Sequence, residues 1–357
     1  MRVVRYTREG YKRAASSPMI ANDSSNPPIH RATCTDGCHH ITGRLQDLHK
    51  MDDTNFADTP IAAAAQRAAW IRSPRTPSLP KPDRPRLITI SNQKGGVGKT
   101  TTTVNLAAGL AIAGMNVLVI DLDPQGNAST ALGAEHVAGT PSSYEVLIGD
   151  ITPDEAMQQS PNHNNLYCIP ATIDLAGSEI ELVNLDNREF RLADAINADF
   201  LARYDFDYVF IDCPPSLGLL TVNAMCAVEE VLIPIQCEYY ALEGVGQLLH
   251  NISLIRAHLN PQLHISTIVL TMYDARTKLA EQVAAEVRNH FGEVVLTNTI
   301  PRSVKVSEAP GYGQTVLDYD PGSRGAMAYL DAAIELGKRG DYVPLDADDP
   351  IGRAPSS

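Results

Sequence analysis

The chain has 357 residues, 44% hydrophobic and 20% charged, with 29 Lys and Arg against 42 Asp and Glu and a formal net charge of −13. That apolar content excludes a wholly disordered chain, and no run approaches the roughly 18 consecutive apolar residues of a membrane-spanning helix. A total of −13 speaks against nucleic acid as a partner, but the charge is uneven: +5 over residues 1–85, −15 over 86–255, zero over 256–339 and −3 over 340–357. A phosphate backbone meets the local field rather than the sum.

Residues 1–58 show little apolar periodicity and are rich in Ser, Asn, Asp, Thr and Arg, the pattern of a disordered extension. Met51 offers an internal start. Cys34, Cys38, His39 and His40 are of metal-ligating type, but they crowd into seven residues without a second half-site, so chance composition explains them better than zinc. Cysteines 168, 213, 226 and 237 are scattered, which argues for a reducing cytoplasm, and the N-terminus lacks the order of a secretory signal. Thr59 and Pro60 cap a short Ala-rich helix to about Ile71, with Ile61, Ala64, Ala65 and Ala68 at helical spacing. With the Pro-rich linker 73–86, it makes residues 59–85 a tether to the domain.

Six short apolar runs follow: 87–91, 117–121, 208–212, 231–235, 265–271 and 294–300. Between and after them, 100–114, about 188–203, 217–227, 241–258, 278–290 and 324–338 are long enough for helices. Near-continuous apolar strands alternating with helices predict an α/β fold. Its sheet is doubly wound, mostly parallel and twisted, with helices on both faces, over residues 86–340. Residues 341–357 read as an acidic flexible tail.

The first strand runs into 94-KGGVGKTT-101 and then an Ala/Leu-rich helix. Strand, Gly-rich loop, Lys-Thr and helix together make a P-loop. Gly95, Gly96 and Gly98, with Val97 between, let backbone N–H groups turn inward around phosphate oxygens, and the helix dipole points the same way. Lys99 supplies a cation near the β- and γ-phosphates, Thr100 a hydroxyl for magnesium and Thr101 one for the α-phosphate. The segment 119-VIDLDPQGNAST-130 places Asp121 and Asp123 at a strand's carboxyl edge, where ligands of such sheets gather. Asp121 reads equally as a helix cap. A third carboxylate, Asp212, ends 208-YVFID-212.

With Lys94 ahead of the usual lysine, the loop resembles the deviant Walker A loop of the ParA/MinD ATPases. The resemblance implies a P-loop NTPase that hydrolyses ATP weakly with Mg2+ and forms an ATP-dependent homodimer. In it Lys94 acts across the interface, much as an arginine finger does. It also implies that Asp123 positions the attacking water, that Gly126 and Asn127 belong to a mobile switch, and that Asp212 holds magnesium ahead of a second switch, 213-CPPSLG-218. Further matching segments, 213-CPPSLGLLTVNA-224, 234-PIQCEYYALEGV-245, 271-TMYDARTKL-279, 301-PRSVKVSEAPGYG-313 and 318-DYDPGSRGAMAY-329, look like the chromosomal, Soj-like ParA branch.

That branch implies partitioning of chromosomes or plasmids, non-specific binding of double-stranded DNA, stimulation by a ParB-type partner, and a nucleoid-associated cytoplasmic location. Pro301 and Ser303 fall where adenine is contacted. Arg276, Lys278, Arg302, Lys305 and Arg324 match the DNA-facing surface, in the half whose net charge is zero. Ion pairing with Asp274, Glu281 or Glu308 is the simpler role for each alone. Two rivals remain: a MinD-like membrane ATPase of division-site placement, against which the acidic end 340–357 argues, and a P-loop metabolic enzyme of the same fold. An iron–sulfur relative would need paired cysteines, and Cys213 and Cys226 read as buried neighbours of a strand and a helix.

Overall fold

All six apolar runs form strands: β1 (Arg86–Ile90), β2 (Val117–Asp121), β5 (Tyr208–Asp212), β6 (Glu230–Gln236), β7 (His264–Tyr273) and β8 (Val295–Pro301). Two more, β3 (Gln158–Gln159) and β4 (Leu166–Ile169), carry too short a pattern to stand out. The computed structural model describes residues 79–239 and 241–340, within one unit spanning Asn55–Ser357. The expectations for the extension, its Cys/His cluster, the helix at 59–71 and the tail at 341–357 lie outside the described residues.

The strands make one eight-stranded sheet in the order β3-β4-β2-β5-β1-β6-β7-β8. Every pair is parallel except β3 with β4, at one edge. Side chains alternate between the two faces, so each central strand feeds two cores. In β5, Val209 and Ile211 enter one core, and Tyr208 and Phe210 the other. In β2, Leu118 and Ile120 oppose Val117 and Val119 in the same way. Both faces are covered, which is why these strands read as unbroken apolar runs.

One face carries α1 (Lys99–Ile112), with Leu106 and Leu110 fully buried against Tyr329, Leu330 and Ala333 of the C-terminal helix Arg324–Lys338. Between β2 and β4 lie three short helices, α2 (Asn127–Ala131), α3 (Ser143–Ile148) and α4 (Pro153–Ala156). The other face is covered by α3, α5 (Leu175–Leu182), α6 (Arg191–Ala195), α7 (Ala198–Arg203), α8 (Leu219–Ala227), α9 (Ala241–His258) and α10 (Lys278–Phe291). The helix expected over about 188–203 is in fact two. Asn197 accepts the Phe200 N–H at 3.1 Å and so caps a fresh start. The chain ends with α11 (Val304–Glu308), α12 (Val316–Tyr319) and α13 (Arg324–Lys338).

A buried ion pair closes the base of the sheet. Arg86 donates to both carboxylate oxygens of Glu230 at 2.8 and 2.7 Å and to the Leu336 carbonyl at 3.1 Å, with its guanidinium over the Tyr208 ring. Burial works against the Arg86 charge, but the bonds to Glu230 outweigh it and hold the guanidinium above its ordinary range. Within the segment read as a linker, residues 79–85 lie against this base. Leu79 is buried on Gly337, Lys81 pairs with Asp205 at 2.9 Å, and Arg84 pairs with Glu229 at 2.6 Å.

Candidate active site: a phosphate cradle at the strand ends

The loop 94–98 leaves the carboxyl end of β1 and enters α1 at Lys99. Gly96 and Gly98 sit at φ +73° and +91°, a region costly for any residue with a β-carbon. These turns direct the loop's N–H groups inward and bring the open N-terminus of α1 to the same spot. Two side chains, one just after β1 and one on β7, pin the loop. The Asn92 amide donates to the Pro234 carbonyl at 2.8 Å, while its oxygen accepts the Lys94 N–H at 3.0 Å. The Thr271 hydroxyl, from β7, donates to the Val97 carbonyl at 2.8 Å.

The two lysines of the loop differ. Lys99 is 8% exposed and points across its own loop to the Lys94 carbonyl, 3.4 Å away. Burial lowers its pKa, opposed by the charges of Asp212, Cys213 and Asp123. The Lys94 ammonium stands outside, its side chain 37% exposed, 3.5 Å from Glu238. Glu238 also faces Arg302 at 3.4 Å.

Three carboxylates close the cradle. Asp121 and Asp212 end adjacent strands in register and are both fully buried. Burial raises the pKa of each, and for Asp212 the nearby Asp121 charge raises it further. Asp121 takes the capping role. It accepts the Ser129 N–H at 2.9 Å, the Ser129 hydroxyl at 2.7 Å and the Asp123 N–H at 3.0 Å. Asp212 accepts the Thr103 hydroxyl at 2.9 Å, and the nearby Thr100 hydroxyl offsets part of the rise in its pKa, yet its Oδ2 is buried without a hydrogen-bond partner. An orphaned carboxylate oxygen beside a hydroxyl suits a hard divalent cation with oxygen ligands. Asp123 lies beyond, half-buried, its side chain accepting, among the described residues, only the Gln125 N–H, at 3.0 Å.

The basic residues also converge. Pro301 of β8 pairs with Tyr273 of β7, and the Arg302 N–H donates to the Tyr273 carbonyl at 3.2 Å. Arg276 and Arg302 both act on Asp274. Ser303 stands at the N-cap position of α11, without a side-chain capping bond, and packs against Gly325, which follows Arg324. Arg276, Arg302, Lys305 and Arg324 therefore cluster at the carboxyl edge of β7 and β8, with Lys278 opening α10. Three have carboxylate neighbours: Arg276 with Asp274 at 2.8 Å, Lys305 with Glu308 at 2.9 Å, and Arg302 with Glu238. Lys278 and Arg324 are exposed with no ion pair among the described residues.

Asn92, Thr103, Ser129, Thr271 and Glu238 also contact the loop or its carboxylates, and motif reading missed them. Only Asn92 carried a local signal, an Asn two residues before the loop that can bond its own backbone. The other four act across the chain. Among the described residues no helix is long and apolar enough to cross a membrane.

A Gly-rich strand-to-helix loop with a buried lysine, backed by a strand-end aspartate, defines a P-loop nucleoside triphosphatase. Residues 85–265 match the family model described as an AAA domain. The chain is 51% identical over 254 residues to the chromosome partitioning protein ParA of Myxococcus xanthus, covering 71% of this chain and 88% of that protein. It is likewise 51% identical over 255 residues to the sporulation initiation inhibitor protein Soj of Bacillus subtilis, covering 71% and 99%. Among solved structures it is 39% identical, with a TM-score of 0.59, to cobyrinic acid a,c-diamide synthase from Mycobacterium smegmatis with bound ADP and magnesium, covering 70% of this chain and 93% of that one. Against the septum site-determining protein MinD of Pyrococcus horikoshii complexed with Mg-ADP, identity is 28% and TM-score 0.57, over 72% and 97%. The chain belongs to the ParA/Soj family of chromosome-partitioning P-loop ATPases.

Proposed function

We propose that this chain hydrolyses ATP with Mg2+, dimerises when ATP is bound, holds double-stranded DNA non-specifically as a dimer, and releases it when a ParB-type partner triggers hydrolysis. The observation that carries the reading is the contrast between the two lysines. Lys99 is buried and serves its own loop, whereas Lys94 projects outward, where phosphates of a second subunit could meet it. Gly95, Gly96, Val97, Gly98, Lys99, Thr100 and Thr101 hold the phosphates; Pro301 and Ser303 flank the adenine; Thr100 and Asp212 hold the metal. Bound magnesium supplies charge neutralisation at the phosphates. Asp123 orients the attacking water, and Lys94 offsets the charge that develops on the transferring phosphoryl group. Residues 86–340 form the catalytic domain, with 79–85 docked on its base; 1–58 are an extension, the rest of 59–85 a tether and 341–357 a tail, in a cytoplasmic, nucleoid-associated protein.

DNA is held by Arg276, Lys278, Arg302, Lys305 and Arg324 through phosphates. Affinity should therefore require ATP and fall linearly on a log–log plot against salt. With Arg276→Glu and Lys305→Glu together, we expect weaker binding and a salt slope shallower by about 2 per subunit, up to about 4 for the dimer. Filter binding across salt concentrations, with and without ATP, tests this, and unchanged binding in the double variant moves the DNA surface elsewhere. Lys94→Ala should remain monomeric in ATP by light scattering; a normal dimer would remove Lys94 from the interface. A MinD-like protein would instead sediment with lipid vesicles in ATP, which is not expected here.

A further inference from the structure

Helix α5 presents apolar side chains on two faces. Leu175, Ser178 and Leu182 are fully buried against the sheet layer. On the opposite side, Ile173 is 61% exposed, Ile180 75% and Val183 55%, with Ala176 and Gly177 exposed between them. Positions 173, 176, 177, 180 and 183 recur at helical spacing, so they form one apolar stripe facing water. A helix with one solvated side normally keeps that side polar, and contiguous exposed apolar stripes mark interaction surfaces.

The border of the stripe is acidic. Residues 173–189 contain Asp174, Glu179, Glu181, Asp186 and Glu189 against one basic residue, Arg188, which pairs with Glu189 at 2.8 Å. Asp174, Glu181 and Asp186 are exposed. This field repels DNA and anionic lipid, and it opposes self-pairing of two such faces across a twofold axis, which would set acid against acid. It suits a helical segment with apolar side chains every three to four residues and Lys or Arg on its flanks.

The stripe is also joined to the catalytic end of the sheet. Glu179, on α5, packs its carboxylate against Gly218 so closely that a β-carbon there would overlap it. Its Oε1 is buried without a hydrogen-bond partner. Gly218 ends the loop 213–218, which starts directly after Asp212, and the adjoining Leu217 is 42% exposed. A displacement of α5 therefore presses on the loop that begins directly after Asp212.

We propose that the outer face of α5 docks a cationic amphipathic helix of a partner protein, and that occupancy is passed through Glu179 and Gly218 to the nucleotide site. The second half rests on the ATPase function proposed above; the docking itself does not. The test uses the full chain with two fluorescein-labelled 18-residue helical peptides, one of Leu, Ala and Lys and one with every Lys replaced by Glu. The cationic peptide should bind, more weakly as salt rises, and should raise ATP turnover at least twofold; the Glu peptide should do neither. Ile180→Asp with Val183→Asp should raise the cationic peptide's Kd at least tenfold and leave basal turnover unchanged. Glu179→Ala should keep the binding and lose the rate response.

Equal binding by wild type and the Ile180/Val183 variant would overturn the docking, as would no binding at all. Binding without any rate response in an active wild type would overturn the coupling, whereas an inactive wild type that still binds would count only against the ATPase function. If the Ile180/Val183 variant lowers the mass by light scattering without peptide, the face belongs to a second copy of this chain. If Arg67→Glu, Arg72→Glu and Arg75→Glu together tighten peptide binding, the chain's own basic segment occupies it. Either result replaces the partner.

Discussion

Replacing Asp123 by alanine is expected to cut ATP turnover by about 10²–10³-fold while leaving nucleotide binding and the fold intact, the loss typical of removing one positioned group from a hydrolytic site. The structure makes this a clean substitution. Asp123 follows β2 after one intervening residue, is half-buried, and its side chain holds, among the described residues, only the Gln125 N–H. It does not share the buried bonds that tie Asp121 to Ser129. Yet its charge reaches Lys99 in the cradle. Phosphate release under saturating ATP, with binding of a fluorescent ATP analogue measured in parallel, separates the two quantities. Turnover within threefold of wild type would remove Asp123 from the mechanism.

The largest stability effect is expected far from the cradle, at Glu230. Its side chain is 7% exposed and that of Arg86 only 2%. Glu230→Ala takes the carboxylate away from a buried guanidinium that keeps the Leu336 carbonyl, and losing the charged partner of a buried pair costs about 3–5 kcal/mol. For a domain of this size that corresponds to a fall in Tm of roughly 6–20 °C. Arg86→Met with Glu230→Leu, which removes both charges, should recover most of it. Urea unfolding of the three proteins measures the comparison, and a single-variant loss below about 1 kcal/mol would show that Arg86 finds water or another acceptor. Lys305→Ala is the contrast, since an exposed ion pair contributes little.

The contrast between Glu230 and Asp123 reflects what a linear sequence carries. The P-loop announces itself because its parts are consecutive: Gly96 and Gly98 supply the backbone turn, and Lys99 and Thr100 follow at once. The central strands are legible because burial on both faces removes every polar residue from 117–120 and 208–211. The edge is not, because β3 is two glutamines and β4 four residues, held by neighbours rather than by their own pattern. Asp121 and Asp123 look alike in sequence. Only the fold turns one toward Ser129 and leaves the other beside Lys99. Thr271, Glu238 and Glu179 contribute through contacts more than thirty residues away in the chain, and no local spacing encodes those.

Strand β7 carries one more consequence. Its Thr271 grips the Val97 carbonyl inside the phosphate loop, and three residues later the same strand has passed into the turn at Asp274, which holds Arg276. On the function proposed above, a shift of the loop by nucleotide and a pull on the basic edge by a polyanion would be applied three residues apart, at the carboxyl end of one strand. Thermodynamic reciprocity then fixes the account: if ATP tightens the grip on DNA by some factor, DNA must tighten the grip on ATP by that same factor. On the DNA binding proposed above, a molecule on DNA would therefore bind ATP more tightly, by that factor, than one free in solution. Thr271 would then be the joint through which the two proposed sites exchange that free energy.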